Sequence, residues 1–179
     1  MRLFLAAELP ASLVEKIESL QKKYFSSLKE WRLTKPQALH ITLKFIGEEP
    51  PGNRKRIEEA LRLISFNPFS SSLNEWGAFP SLEKARVLFF DMAEGRESFL
   101  NLSEKIEKAL LFLNKCEERP FLPHLSIARH RSGENILSWR KKITEQPPRD
   151  KFTVSGFSLF ESLLQPEGAV YHKISSFPL

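Results

Sequence analysis

Apolar and polar positions alternate over 38–46, Ala-Leu-His-Ile-Thr-Leu-Lys-Phe-Ile. That is the period of a strand, whose successive side chains face opposite sides. Strands are also expected over 2–8, 69–79, 85–92, 122–129, 151–161 and 169–175. Apolar spacings of three and four predict helices elsewhere. One runs over 10–24 (Leu13, Ile17, Leu20, Tyr24), with Pro10 suited to a first turn and Ser12 a candidate cap. A second spans 53–64 (Ile57, Leu61, Ile64), and the longest spans 96–113 (Phe99, Leu102, Ile106, Leu110, Leu113). A short helix is expected over 134–143. Gly47, Pro50-Pro51-Gly52, Pro80 and Pro147-Pro148 punctuate the chain. Helices alternate with strands without a long linker, so the class is α+β or α/β.

The pattern repeats. Arg2-Leu3-Phe4-Leu5 opens a strand, a helix follows, and His40-Ile41-Thr42-Leu43 arrives on a strand. Arg86-Val87-Leu88-Phe89 opens a strand, a helix follows, and His124-Leu125-Ser126-Ile127 arrives on a strand. The spacing from Arg2 to His40 and from Arg86 to His124 is the same, 38 positions. Phe-rich strands follow each, around Phe69–Phe79 and Phe152–Phe160. Residues 1–179 are therefore expected to form one domain of two similar lobes.

Strand alternation places His40 and Thr42 on one face, with Leu39, Ile41, Leu43 and Phe45 on the other. It likewise pairs His124 with Ser126, against Leu125 and Ile127. Two such polar faces brought together hold two imidazoles and two hydroxyls. Imidazole titrates near neutrality, so one ring can give a proton while the other takes one. Hydroxyls donate to phosphate oxygens without adding charge. The natural target is a phosphodiester. His130-Arg131-Ser132 repeats the motif in a polar stretch before the 134–143 helix, without the alternating strand, and is set aside with His172. Arg129 is a candidate phosphate contact, but strict alternation puts it on the Leu125 face, so it needs a bulge to reach the site. Phe45 and Trp31 are candidate base-stacking platforms, although Phe45 shares a face with Leu43 and reads as core. Lys44 shares the His40 face and reads as a solvated lysine.

Composition narrows the classes. The formal net charge is +5, which favours polyanionic partners such as RNA. The single cysteine, Cys116, forms no internal disulfide and suits a reducing cytoplasm. The apolar run at the start is too short for a signal peptide, and charges interrupt every apolar run before membrane-spanning length. No phosphate-cradling glycine loop is present. The four histidines lack metal-ligand spacing. No metal and no cofactor is expected, and a monomer is.

Together with Arg119-Pro-Phe-Leu-Pro-His124, Gly77-Ala-Phe-Pro80, Phe160-Glu-Ser162 and Phe177-Pro-Leu179, the two tetrapeptides resemble the two-histidine (2H) phosphoesterases. Within them the chain is similar to the RNA 2',3'-cyclic phosphodiesterases, also called 2'-5' RNA ligases, over its whole length. Ser126 stands where that pattern usually has Thr. The resemblance implies an α+β fold of two pseudo-symmetric lobes, each an antiparallel sheet backed by helices, with the active-site cleft between them. It implies hydrolysis of RNA or oligonucleotide 2',3'-cyclic phosphate ends to 2'-phosphomonoesters, with 2'-5' ligation as the reverse reaction. It makes His40 the proton donor and His124 the acceptor, with Thr42 and Ser126 on the phosphate; the residues themselves leave open which imidazole is acid and which is base. Two rivals are a phosphodiesterase for another small cyclic phosphate and a module that binds RNA ends without turnover.

Overall fold

The computed structural model describes the chain except for residues 26–27, 116–119, 138–140, 142, 144 and 166–167. Alternation along β1 (Arg2–Glu8) sends Leu3, Leu5 and Ala7 into the main apolar core. Phe4 and Ala6 point to the opposite face, where they meet Phe160. The chain continues as α1 (Ala11–Phe25), β2 (Trp31–Leu33), β3 (His40–Glu48), α2 (Asn53–Arg62), β4 (Phe69–Phe79) and β5 (Ala85–Glu94). It ends with α3 (Arg96–Ala109), β6 (His124–Glu134), β7 (Phe152–Val154), β8 (Gly156–Gln165) and β9 (Gly168–Pro178). All strand pairs are antiparallel, in the order β7-β4-β5-β6-β3-β1-β8-β9, with β2 on β6. The class is α+β.

The sheet falls into matching halves, β3-β1-β8-β9 and β6-β5-β4-β7, which meet through one residue pair, Ile41 and Leu125. The chain passes between halves. After β3 it crosses to pair β4 with β5, and after β6 it returns to pair β8 with β1. The single strand expected over 151–161 is in fact two. Phe152–Val154 pairs with β4 and Gly156–Gln165 pairs with β1, with only Ser155 between them. The two Cα steps from Val154 to Gly156 span at most about 7 Å, so the two ends of the sheet curl toward each other there. Gly156 suits that close approach, because a Cβ there would stand 2.8 Å from the Phe177 carbonyl oxygen.

The helices cross-brace the halves. Buried Gln21 of α1 donates to the carbonyls of Ile127 on β6 (2.7 Å) and Thr34 (3.0 Å). Buried Ser103 of α3 donates to the Leu43 carbonyl on β3 (3.2 Å). The expected 96–113 helix ends at Ala109, and Leu111–Leu113 tighten into a 3-10 turn closed by Asn114 at φ 52°. The expected 134–143 helix is corrected at its start, since Glu134 closes β6. Its middle, with Cys116 and Arg119, lies outside the described residues. Among the described residues no helix is long and apolar enough to cross a membrane.

Candidate active site

His40 and His124 each open a central strand, β3 and β6. Each ring is held by the carbonyl two residues upstream. His124 Nδ1 donates to the Leu122 carbonyl at 2.7 Å, and the His40 ring hydrogen-bonds the Ala38 carbonyl. A carbonyl only accepts, so Nδ1 of His124 carries the proton and Nε2 is the basic nitrogen of its neutral form. His40 Nε2 sits 3.1 Å from Thr42 Oγ1.

Aromatic rings wall both imidazoles. Phe4, Tyr171 and Phe160 surround His40 at centroid distances of 5.0, 5.3 and 6.3 Å. Phe79 and Phe89, stacked on each other, hold His124 edge-on at 5.1 and 5.3 Å. Burial in these apolar walls, with the cationic Arg129 and His124 nearby, pushes the His40 pKa down to about 4. Burial and then Arg129 also lower that of His124.

Register places a carboxylate opposite each histidine, which the motif reading missed. Glu8 of β1 faces His40, and Asp91 of β5 faces His124. Both pull the imidazole pKa upward, more weakly than burial lowers it. Each carboxylate is itself engaged, Glu8 by Lys173 and Ser158 and Asp91 by Arg96. The nearly equal spacing from each motif histidine back to its acid, 32 and 33 positions, was the available signal.

Bulges decide what else reaches the face. On β3, Leu5 pairs with Lys44 and Ala6 with Thr42, leaving Leu43 as the extra residue. Residues after it exchange faces. Phe45 therefore joins the His40 face and is 59% exposed, not core. Lys44 turns the other way. It is buried, paired with Glu107 of α3, and donates to the Lys115 carbonyl, so it is not a solvated lysine. On β6, Leu88 pairs with Ala128 and Phe89 with Ser126, leaving Ile127 as the extra residue. That bulge brings Arg129 onto the His124 face. Phe45 and Arg129 each lie five positions after their motif histidine, so the two halves bulge at matching points.

A cavity of about 460 Å3 is lined by His40, Thr42, Phe45, Ser126, Arg129 and Tyr171, among others. His124 does not line it directly; it stands two positions before Ser126 on the same face of β6. Trp31 is not available to bases: it is buried, donates from Nε1 to Glu134 at 2.6 Å, and packs on His130. His130 lies on β6 itself, and its Nδ1 accepts from the Gly133 N–H. Among the described residues no three His, Cys, Asp or Glu side chains converge as a metal site.

Comparison with known proteins follows the same lines. Residues 8–89 match the family model described as LigT like Phosphoesterase. The chain is 30% identical to an RNA 2',3'-cyclic phosphodiesterase of Archaeoglobus fulgidus, over 99% of both chains. It is 32% identical to one of Thermus thermophilus, over 100% of this chain and 90% of the relative. The crystal structure of TT0787 from Thermus thermophilus superposes with a TM-score of 0.83 at 28% identity, covering 100% of this chain and 98% of that one. With whole-length similarity, a shared fold and paired strand histidines in agreement, the chain belongs to the RNA 2',3'-cyclic phosphodiesterases of the LigT-like phosphoesterase family.

Proposed function

We infer that this chain hydrolyses the 2',3'-cyclic phosphate end of RNA to a 2'-phosphomonoester, with His40 and His124 as its acid–base pair. The carrying observation is the pairing of two strand histidines, each anchored by a carbonyl two residues upstream and each followed by a hydroxyl on the same face. In this reading His124 takes a proton from water as the water oxygen bonds to phosphorus. The P–O3' bond breaks, and His40 gives its proton to the departing O3'. Thr42 and Ser126 donate to the non-bridging oxygens, and Arg129 offsets their charge.

Burial above all, and then the neighbouring Arg129 and His124, oppose protonation of His40. An anionic phosphodiester reverses that local charge and raises the pKa, so the donor form is assembled together with the substrate. Two imidazoles and two hydroxyls fill every role, so the proposed reaction needs no metal and no cofactor. Ligation is the same path run backwards with a 5'-hydroxyl in place of water; abundant water favours hydrolysis. The reading extends to a monomer in the cytoplasm acting on RNA or oligonucleotide ends.

The test is hydrolysis of a 2',3'-cyclic phosphate in excess chelator by wild type, His40→Ala and His124→Ala. A 2'-phosphate product from wild type, with turnover lowered by about 100-fold or more in each variant, is expected. Full turnover in either folded variant overturns the assignment. Inertness toward both mononucleotide and oligonucleotide ends points to another small cyclic phosphate or to binding alone.

A further inference from the structure

On β2, Arg32 stands directly opposite Arg129 of β6. Both are exposed and both line the cavity. Like charges at facing cross-strand positions repel each other. Among the described residues the cavity lining includes Arg2, Arg32, Lys35 and Arg129, and neither Asp nor Glu. Among the described residues none of these four cations has an ion-pair partner, whereas Lys16, Lys44, Arg54 and Arg96 each do.

The segment carrying Arg32 and Lys35 is fixed in place. Thr34, between them, donates from its N–H to the Ile127 carbonyl at 2.9 Å and accepts from buried Gln21 at 3.0 Å. Trp31 ties the start of β2 to Glu134. Pro36 follows Lys35 and opens a 3-10 turn. Cations held this way repel one another without having to be ordered on binding, an arrangement that favours an anion between them.

The proposed reaction uses one phosphate, on Thr42, Ser126 and Arg129. We propose that Arg32 and Lys35, beside Arg129, form a second phosphate subsite that takes an internal phosphodiester of the RNA strand adjoining the cyclic end. The chain then prefers RNA ends to cyclic mononucleotides. This rests on the reading above but is tested without turnover.

The probes are a short oligoribonucleotide ending in a 2'-phosphate and the matching nucleoside 2'-monophosphate, with affinities measured over a range of salt. Wild type should bind the oligonucleotide at least ~10-fold more tightly at low salt. The Arg32→Gln/Lys35→Gln double variant should lose most of that ratio and reduce the slope of log affinity against log salt by about 1–2. Lys55→Gln on α2, outside the cavity, removes a like charge and should leave the ratio unchanged. Equal wild-type affinity for both probes, or an equal effect of Lys55→Gln, overturns the subsite. Preferential binding without hydrolysis of cyclic ends leaves the subsite standing and overturns the proposed reaction instead.

Discussion

Gln21 donates a 2.7 Å hydrogen bond to the carbonyl of Ile127, the extra residue of the β6 bulge. A bulge interrupts the ladder, and here a buried helix side chain supplies a donor on the core side. Because that bulge turns Arg129 onto the cleft face, Gln21 supports the site from behind. Gln21→Leu removes the bonds to Ile127 and Thr34 together, and a loss of about 1–3 kcal/mol is expected in urea unfolding. A cost near zero would show that the bulge holds itself.

Gly77 faces Phe89 across β4 and β5. A Cβ at Gly77 would fall 2.2 Å from the Phe89 ring, which is stacked on Phe79 at 4.2 Å and packs against His124. Gly77→Ala must therefore displace that ring from its place against the His124 imidazole. Overpacking costs about 1–3 kcal/mol, and kcat should fall while Gly52→Ala, in open space, leaves it unchanged. Equal kcat in the two variants would refute the coupling.

The depressed His40 pKa makes stability depend on pH. The unfolded chain takes up this proton near the ordinary imidazole value of 6.5, the folded chain near 4. Stability is therefore full above the higher value and falls as pH drops through this window. The loss from this residue is about 3 kcal/mol at its limit. His124, shifted in the same direction, adds to it. Comparing urea midpoints at neutral and acidic pH, His40→Gln should lose less stability than wild type. An identical loss would mean that His40 titrates normally.

Lys44 is buried while its partner Glu107 is about one-third exposed. Breaking the pair from the lysine side leaves a carboxylate that water can reach. Lys44→Met should change stability by only about 1 kcal/mol, since desolvating the ammonium offsets much of its attraction. Lys44→Glu buries a charge of the same sign as Glu107 and should cost more than about 3 kcal/mol. Thermal unfolding of the two variants side by side decides; a large loss with Met would mean the ion pair is strongly stabilising.

Local pattern determined a good deal of this protein. Period-two alternation set His40 with Thr42 and His124 with Ser126, because neighbouring side chains on a strand face opposite ways whatever the strand pairs with. Three-and-four spacing located α1, α2 and α3 to within a few residues. The equal spacing of the two halves announced the pseudo-symmetry. Tertiary structure alone decided the rest. Whether a strand carries a bulge depends on its partners' register, so Phe45, Lys44 and Arg129 all stand on the face opposite to strict alternation. The same dependence set Glu8 against His40 and Asp91 against His124, and divided one apolar run at Ser155 between the two ends of a curled sheet. A chain's own period fixes which residues share a face; only its neighbours fix where that period slips.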